Sequence, residues 1–152
     1  MTDTPDGFFA LPLDFGFIGV NGPLFARPME DGRLKLGFRV EERHCNPMKI
    51  AHGGMMVTFA DMQLPLGIRF QGDLPDTFLP TINLSVDFLG SAKLGAWVEG
   101  ETQLLRRTRN LVFAQCLITA DGEPAVRANG IFKIAGEMKF GGRKFAELFK
   151  RD

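Results

Sequence analysis

From Gly54 to Arg69 the chain reads Gly-Met-Met-Val-Thr-Phe-Ala-Asp-Met-Gln-Leu-Pro-Leu-Gly-Ile-Arg. Taken as a helix, this run is apolar nearly all round, and such a helix must be buried rather than laid on a surface. Asp61 sits in the middle of it, among Val57, Phe59, Ala60, Met62, Leu64 and Leu66. A charge in those surroundings is costly unless it is paired or hydrogen-bonded. Just upstream are His52, Gly53 and Gly54, with Asn46 six residues before the histidine. A helix start with free backbone N–H groups, next to an acid that needs a reason to be buried, marks a candidate site. Pro65 cannot donate to the carbonyl of Asp61, so a kink is predicted there at a cost of ~3 kcal/mol.

The flanking sequence says how such a helix is covered. Residues 1–16 read as an irregular segment. Residues 17–27 are expected to form a first strand, interrupted at Asn21-Gly22-Pro23. Glu30-Asp31-Gly32 is a hairpin signal, and Leu34, Leu36, Phe38 and Val40 then alternate with polar or small residues as in a half-buried strand. A loop spans 44–53, with His44 expected at the surface. After the helix come four more strands, over 81–89, 95–105, 111–120 and 125–134. In the first of them Ile82, Leu84, Val86 and Phe88 alternate with Thr81, Asn83, Ser85 and Asp87. Asp121-Gly122 marks a tight hairpin. Residues 136–152 form a tail, with Phe145, Leu148 and Phe149 at the spacing of a short helix. Two strands, one long apolar helix and an antiparallel meander make an α+β domain. One sheet face cannot cover such a helix, so the sheet must curve around it, and a second copy of the chain must close the open side.

Composition bounds the function. The 152 residues suit one domain with a proper core. The formal net charge is zero, so there is no electrostatic footprint for nucleic acid or membrane. Fifteen Phe and no Tyr give apolar filling without phenolic chemistry. The two cysteines, Cys45 and Cys116, make neither a disulfide framework nor a zinc pattern and fit a reducing compartment. Phe8–Val20 is broken by Pro12, Asp14, Gly16 and Gly19, unlike a signal peptide or a membrane span. A cytoplasmic protein is expected.

The frame Asn46-x5-His52-Gly53-Gly54-x6-Asp61 resembles the signature of hotdog-fold acyl-CoA thioesterases of the phenylacetic-acid-degradation (PaaI) type. Thr81 to Gly95, with its Lys93-Leu94-Gly95 turn, and the Asp121-Gly122 hairpin also resemble that family, over roughly residues 17–135. The resemblance implies a hotdog fold, a curved antiparallel sheet wrapped around one long central helix, assembled as a homodimer or a dimer of dimers. It also implies hydrolysis of an acyl-CoA thioester to a free acid and CoA, with no metal and no organic cofactor. In that family the glycine directly after the histidine, here Gly53, is the usual oxyanion donor, and a hydroxyl at the position of Thr81 assists the acid or its water in some relatives. Lys49 and Ile50 depart from the family, where a glycine is frequent.

The residues support that chemistry by their types. Asp61 can act as general base on water or as nucleophile on the thioester carbonyl; the plainer alternative is a structural cap. Gly53 and Gly54 at the helix start offer N–H groups and the positive end of the helix dipole to an oxyanion, or else form a simple turn. Eight residues of helix separate Gly53 from Asp61 by ~12 Å. One chain cannot bring both to a single thioester, whereas an antiparallel helix from a second copy can, giving two shared sites per dimer. Asn46 offers a donor and an acceptor to the water or the thioester oxygen. His52 is expected to hydrogen-bond backbone and fix the loop. Lys93, Arg106, Arg107 and Arg109 are candidates for CoA phosphates, with solvated hairpin charge as the alternative. A second reading is a non-catalytic hotdog module that holds acyl-CoA or an aromatic acid without turning it over.

Overall fold

The computed structural model describes residues 3–151. Seven strands form a single antiparallel sheet: β1 (Phe9–Ala10), β2 (Phe25–Pro28), β3 (Leu34–Arg39), β4 (Thr81–Phe88), β5 (Trp97–Arg107), β6 (Leu111–Ala120) and β7 (Glu123–Lys133), in the spatial order β1-β2-β3-β5-β6-β7-β4. A six-residue helix, α1 (Gly16–Asn21), precedes β2, and one long helix, α2 (Gly53–Gln71), lies on the inner face of the sheet. The expected strand over 17–27 is therefore divided: its first part is α1 and only Phe25–Pro28 pairs with β3. The break falls at Gly22-Pro23, where the proline has no N–H for a ladder. The Asp121-Gly122 loop closes β6 onto β7 with both residues at positive φ, 47° and 84°, as a type I′ turn requires.

The sheet wraps α2 as a curved palm. Phe59, Ala60, Leu64 and Ile68 point into it and pack with Leu36, Val98, Ile118 and Phe132, all fully buried. Gly67 lets β5 approach the helix closely: a Cβ there would lie 2.3 Å from Thr102 Oγ1. The N-terminal strand and the 3₁₀ turn Phe145–Phe149 add aromatic cover, with Phe149 packed edge-on to both Phe9 and Phe70.

Within the single chain the cover is incomplete, and one side of the helix stays open. Gly54, Val57, Thr58, Asp61 and Pro65 are half-buried or exposed. Their spacing of three and four places them on one stripe of the helix. The helix also runs unbroken through Pro65. Because Pro65 lies on the uncovered stripe, the carbonyl it leaves without a donor is on the side away from the core. Beside this stripe runs β4, an edge strand paired only with β7, with Ile82 and Phe88 largely exposed.

Candidate active site

Asp61 lies on the uncovered stripe, half-buried, and its Oδ1 accepts a 2.7 Å hydrogen bond from Thr81 Oγ1. Simple alternation along β4 puts Thr81 on the outer face with Asn83, Ser85 and Asp87. The structure corrects this. Thr81 pairs with Phe132 and Asn83 with Ile131, so Ile82 is an extra residue with no partner in β7. Directly opposed residues share a face, and Phe132 points inward with no exposure. The bulge therefore turns Thr81 to the inner face with Leu84, Val86 and Phe88, and leaves Ile82 at 56% exposure. Re-aiming a side chain next to a site is a recurrent use of such bulges.

The start of α2 forms a second locus. His52 is the N-cap, and its Nδ1 accepts from Gly54 N–H at 2.8 Å. That bond requires the imidazole proton on Nε2 and occupies the Gly54 amide. Gly53, the first helical residue, donates to no acceptor among the described residues and lines a groove of about 370 Å³ with Asn46, Ala51, Met56, Phe88 and Ser91. A Cβ at Gly53 would meet the Phe88 ring at 3.4 Å. Asn46 Oδ1 is engaged by Met48 N–H at 2.9 Å, which leaves its amide NH₂ as the free function.

Not every candidate gathers at these loci. Lys93 sits at the Gly53 end, its backbone bridged to Ile50. Arg106, Arg107 and Arg109 lie at the opposite end of α2, where Arg107 Nη1 donates to the carbonyl of Gly72 just after the helix. Asp61 is two turns along the helix from Gly53, so one chain does not unite them.

His44, expected at the surface, is 3% exposed. Its Nε2 donates to the Asn21 carbonyl at 2.8 Å, its Nδ1 accepts from Glu41 N–H at 2.9 Å, and its ring packs edge-on to Phe38. Burial pushes its pKa below the ordinary histidine value. The His44 carbonyl also accepts from His52 N–H, so His44 braces the loop that presents the helix start. Gln63 is the other polar residue whose role no local sequence signal shows. Fully buried, it accepts from Leu36 N–H at 3.0 Å and donates to the Leu34 carbonyl and to Thr102 Oγ1, while Thr102 Oγ1 donates back to the Gln63 carbonyl. Cys116 is a buried free thiol pushed up to about 12 by burial, which makes it a poor nucleophile.

The chain has relatives among known proteins. Residues 48–126, slightly more than half of the chain, match the thioesterase superfamily. A Pseudomonas aeruginosa protein that carries the name esterase is 30% identical over 134 residues, which cover 88% of this chain and 99% of the relative. The chain belongs to the thioesterase superfamily. It is accordingly a thioester hydrolase. Solved members share its hotdog fold. A hypothetical thioesterase of Streptococcus pneumoniae TIGR4 with coenzyme A superposes with a TM-score of 0.65 at 20% identity, covering 76% of this chain and 88% of its own. A phenylacetic acid degradation-related protein of Ralstonia eutropha JMP134 gives 0.68 at 24% identity, covering 77% and 88%. The pneumococcal protein has also been solved with a threonine, and with an aspartate, replaced by alanine. Among the described residues, no helix of this superfamily member is long and apolar enough to cross a membrane, and no cluster of His, Cys, Asp or Glu could hold a metal ion.

Proposed function

We propose that this chain hydrolyses acyl-CoA thioesters to a free acid and CoA, as a PaaI-type thioesterase whose two sites are shared across a homodimer. The observation that carries the reading is the Asp61–Thr81 hydrogen bond on the one stripe of α2 that the chain itself leaves uncovered. The coenzyme A of the pneumococcal thioesterase supports the substrate class, and the aspartate and threonine replaced in that protein are the same pair of residue types.

Thr81 donates to one carboxylate oxygen of Asp61 and leaves the other free to take a proton from water or to attack the carbonyl carbon. The negative charge that develops on the thioester oxygen is received by the Gly53 N–H at the positive end of α2. The Asn46 NH₂ serves as a second donor to that oxygen or to the water. His52 contributes by fixing the helix start. No metal or organic cofactor enters the reaction. Lys93 takes a CoA phosphate at the groove. With Asp61 of one copy against Gly53 of the other, the antiparallel register carries the second copy's Gly72 end ~16 Å past the helix start. Its basic turn, Arg106, Arg107 and Arg109, then lies where the far part of CoA extends. Because each site takes residues from both copies, the assembly and the activity stand or fall together.

The test is free-thiol release from short, long and aromatic acyl-CoAs, with wild type beside Asp61→Ala. Hydrolysis that disappears in the variant is the expected result, and a variant as fast as wild type would sink the assignment. A single turnover in ¹⁸O-water separates the two roles of Asp61. Label left in the Asp61 carboxylate means nucleophile, and label confined to the released acid, with no acyl-enzyme trapped during the turnover, means general base.

A further inference from the structure

Arg69, two turns beyond Asp61 on α2, is only 5% exposed, and no carboxylate within ion-pair distance meets it among the described residues. Its contacts are all neutral. Nε donates to the Thr77 carbonyl at 3.0 Å, the guanidinium lies over the Phe140 ring at 5.2 Å, and Nη2 is 4.0 Å from the Met138 sulfur. Burial pushes its pKa down to about 10. A buried cation without a counter-charge is a poor way to stabilise a fold, and an apolar side chain fills such a position at lower desolvation cost.

What Arg69 does hold is the segment leading to Thr81. Residues 76–81 are hydrogen-bonded to α2 at two points, Thr77 by Arg69 and Thr81 by Asp61. Their other backbone bonds run to β7 and the tail, from Phe78 N–H to the Gly136 carbonyl, from Ala135 N–H to the Phe78 carbonyl, from Met138 N–H to the Asp76 carbonyl and from Lys133 N–H to the Pro80 carbonyl. Eight helical residues separate Asp61 from Arg69, a rise of ~12 Å. Four residues separate Thr77 from Thr81, and fully extended they span ~13 Å. The two spans match, and among the described residues the Arg69 bond is the hydrogen bond, besides that of Asp61 to Thr81 itself, that ties this segment to α2, so it sets how closely the segment runs along the helix toward Thr81.

We propose that Arg69 is a positioning residue, which fastens the 77–81 segment so that Thr81 meets the carboxylate of Asp61. The inference rests on the reading of Asp61 and Thr81 as the reacting pair. A guanidinium suits the task because its Nε can bond the carbonyl while the plane stacks on an aromatic ring.

The test is a double-mutant cycle of Arg69→Met and Thr81→Ala on the best acyl-CoA substrate, with melting temperatures recorded alongside. The expected result is a kcat loss of about tenfold for each single variant, an unchanged KM, and a double variant no slower than Thr81→Ala alone. Multiplying losses, or an unchanged kcat in Arg69→Met, would overturn the inference. If Arg69→Met does not fold, Arg69→Lys enters the same cycle, with a smaller loss that again vanishes in the Thr81→Ala background. Amide hydrogen exchange supplies a readout that needs no turnover: exchange over residues 78–82 must quicken in the Arg69 variant, and unchanged exchange would also overturn the inference. An Asp61→Ala protein with full activity removes the catalytic reading itself. A dead Asp61→Ala protein with a multiplying cycle removes only the role of Arg69.

Discussion

Gln63 and Asp61 are two residues apart on one helix, and they have opposite fates. Gln63 faces the sheet, and its amide is fully engaged by Leu34, Leu36 and Thr102. Asp61 faces outward with one bond, from Thr81. Both are polar residues in an apolar run, and composition treats them alike. A side chain whose hydrogen-bonding capacity is saturated by buried groups of its own chain is part of the fold, since removing it strands those partners. A side chain with an oxygen left over, on a face its own chain does not cover, is available for chemistry.

The sharpest way to break this comparison is Asp61→Ala. It should cost about 10³-fold in kcat/KM, ~4 kcal/mol of transition-state stabilisation, with the melting temperature unchanged. Gln63→Leu should do the reverse. It leaves Leu36 N–H and the Leu34 carbonyl buried without partners, so urea unfolding should show a loss of ~3 kcal/mol while the folded fraction keeps its kcat. If Gln63→Leu spared stability and slowed turnover, the division would be wrong. Thr81→Ala tests the boundary between the two classes, with a loss of about tenfold in kcat, ~1.4 kcal/mol, and little change in stability because its partner is open to water.

The smallest effect sharpens the same contrast in the histidines, buried His44 against exposed His52. The folded-state pKa of His44 is lowered, with burial as the main cause. The unfolded chain therefore takes up the proton first as pH falls. Stability from this group is complete above the unfolded value near 6.5 and is lost below it, toward the depressed folded value. The loss is at most ~1.4 kcal/mol per pH unit. Melting temperatures from pH 7.5 to 5 should fall less steeply in His44→Gln than in wild type.

Much of the architecture was legible in the sequence. The apolar run, the alternating strands and the Asp-Gly hairpin gave the helix, the meander and the need for a curved sheet. The Asn46-to-Asp61 spacing marked the candidate residues, and its glycines do sit where the helix begins. What stayed hidden depends on partners distant in sequence. A period-two pattern cannot show an inserted residue, so the bulge at Ile82 and the inward turn of Thr81 escaped it. The burial of His44 needs the Asn21 carbonyl of α1, a stretch whose sequence predicts strand. Gln63 looked like one polar residue in a hydrophobic run because its partners lie on β3 and β5. That α2 has an open side follows from its apolarity, but which residues form the stripe depends on where the sheet packs, which apolarity alone does not say.

The distance between Gly53 and Asp61 has a genetic consequence. Gly53 is the first helical residue, a position that tolerates proline, and His52 before it already has φ −58° and ψ 139°, as proline demands of its predecessor. Gly53→Pro thus deletes one N–H and spares the helix. It should be inactive, as should Asp61→Ala. Co-expressed, the two dead proteins should complement each other, because a mixed dimer joins the intact Gly53 of one chain to the intact Asp61 of the other. Random pairing would restore about a quarter of wild-type activity, and a site contained within one chain would restore none.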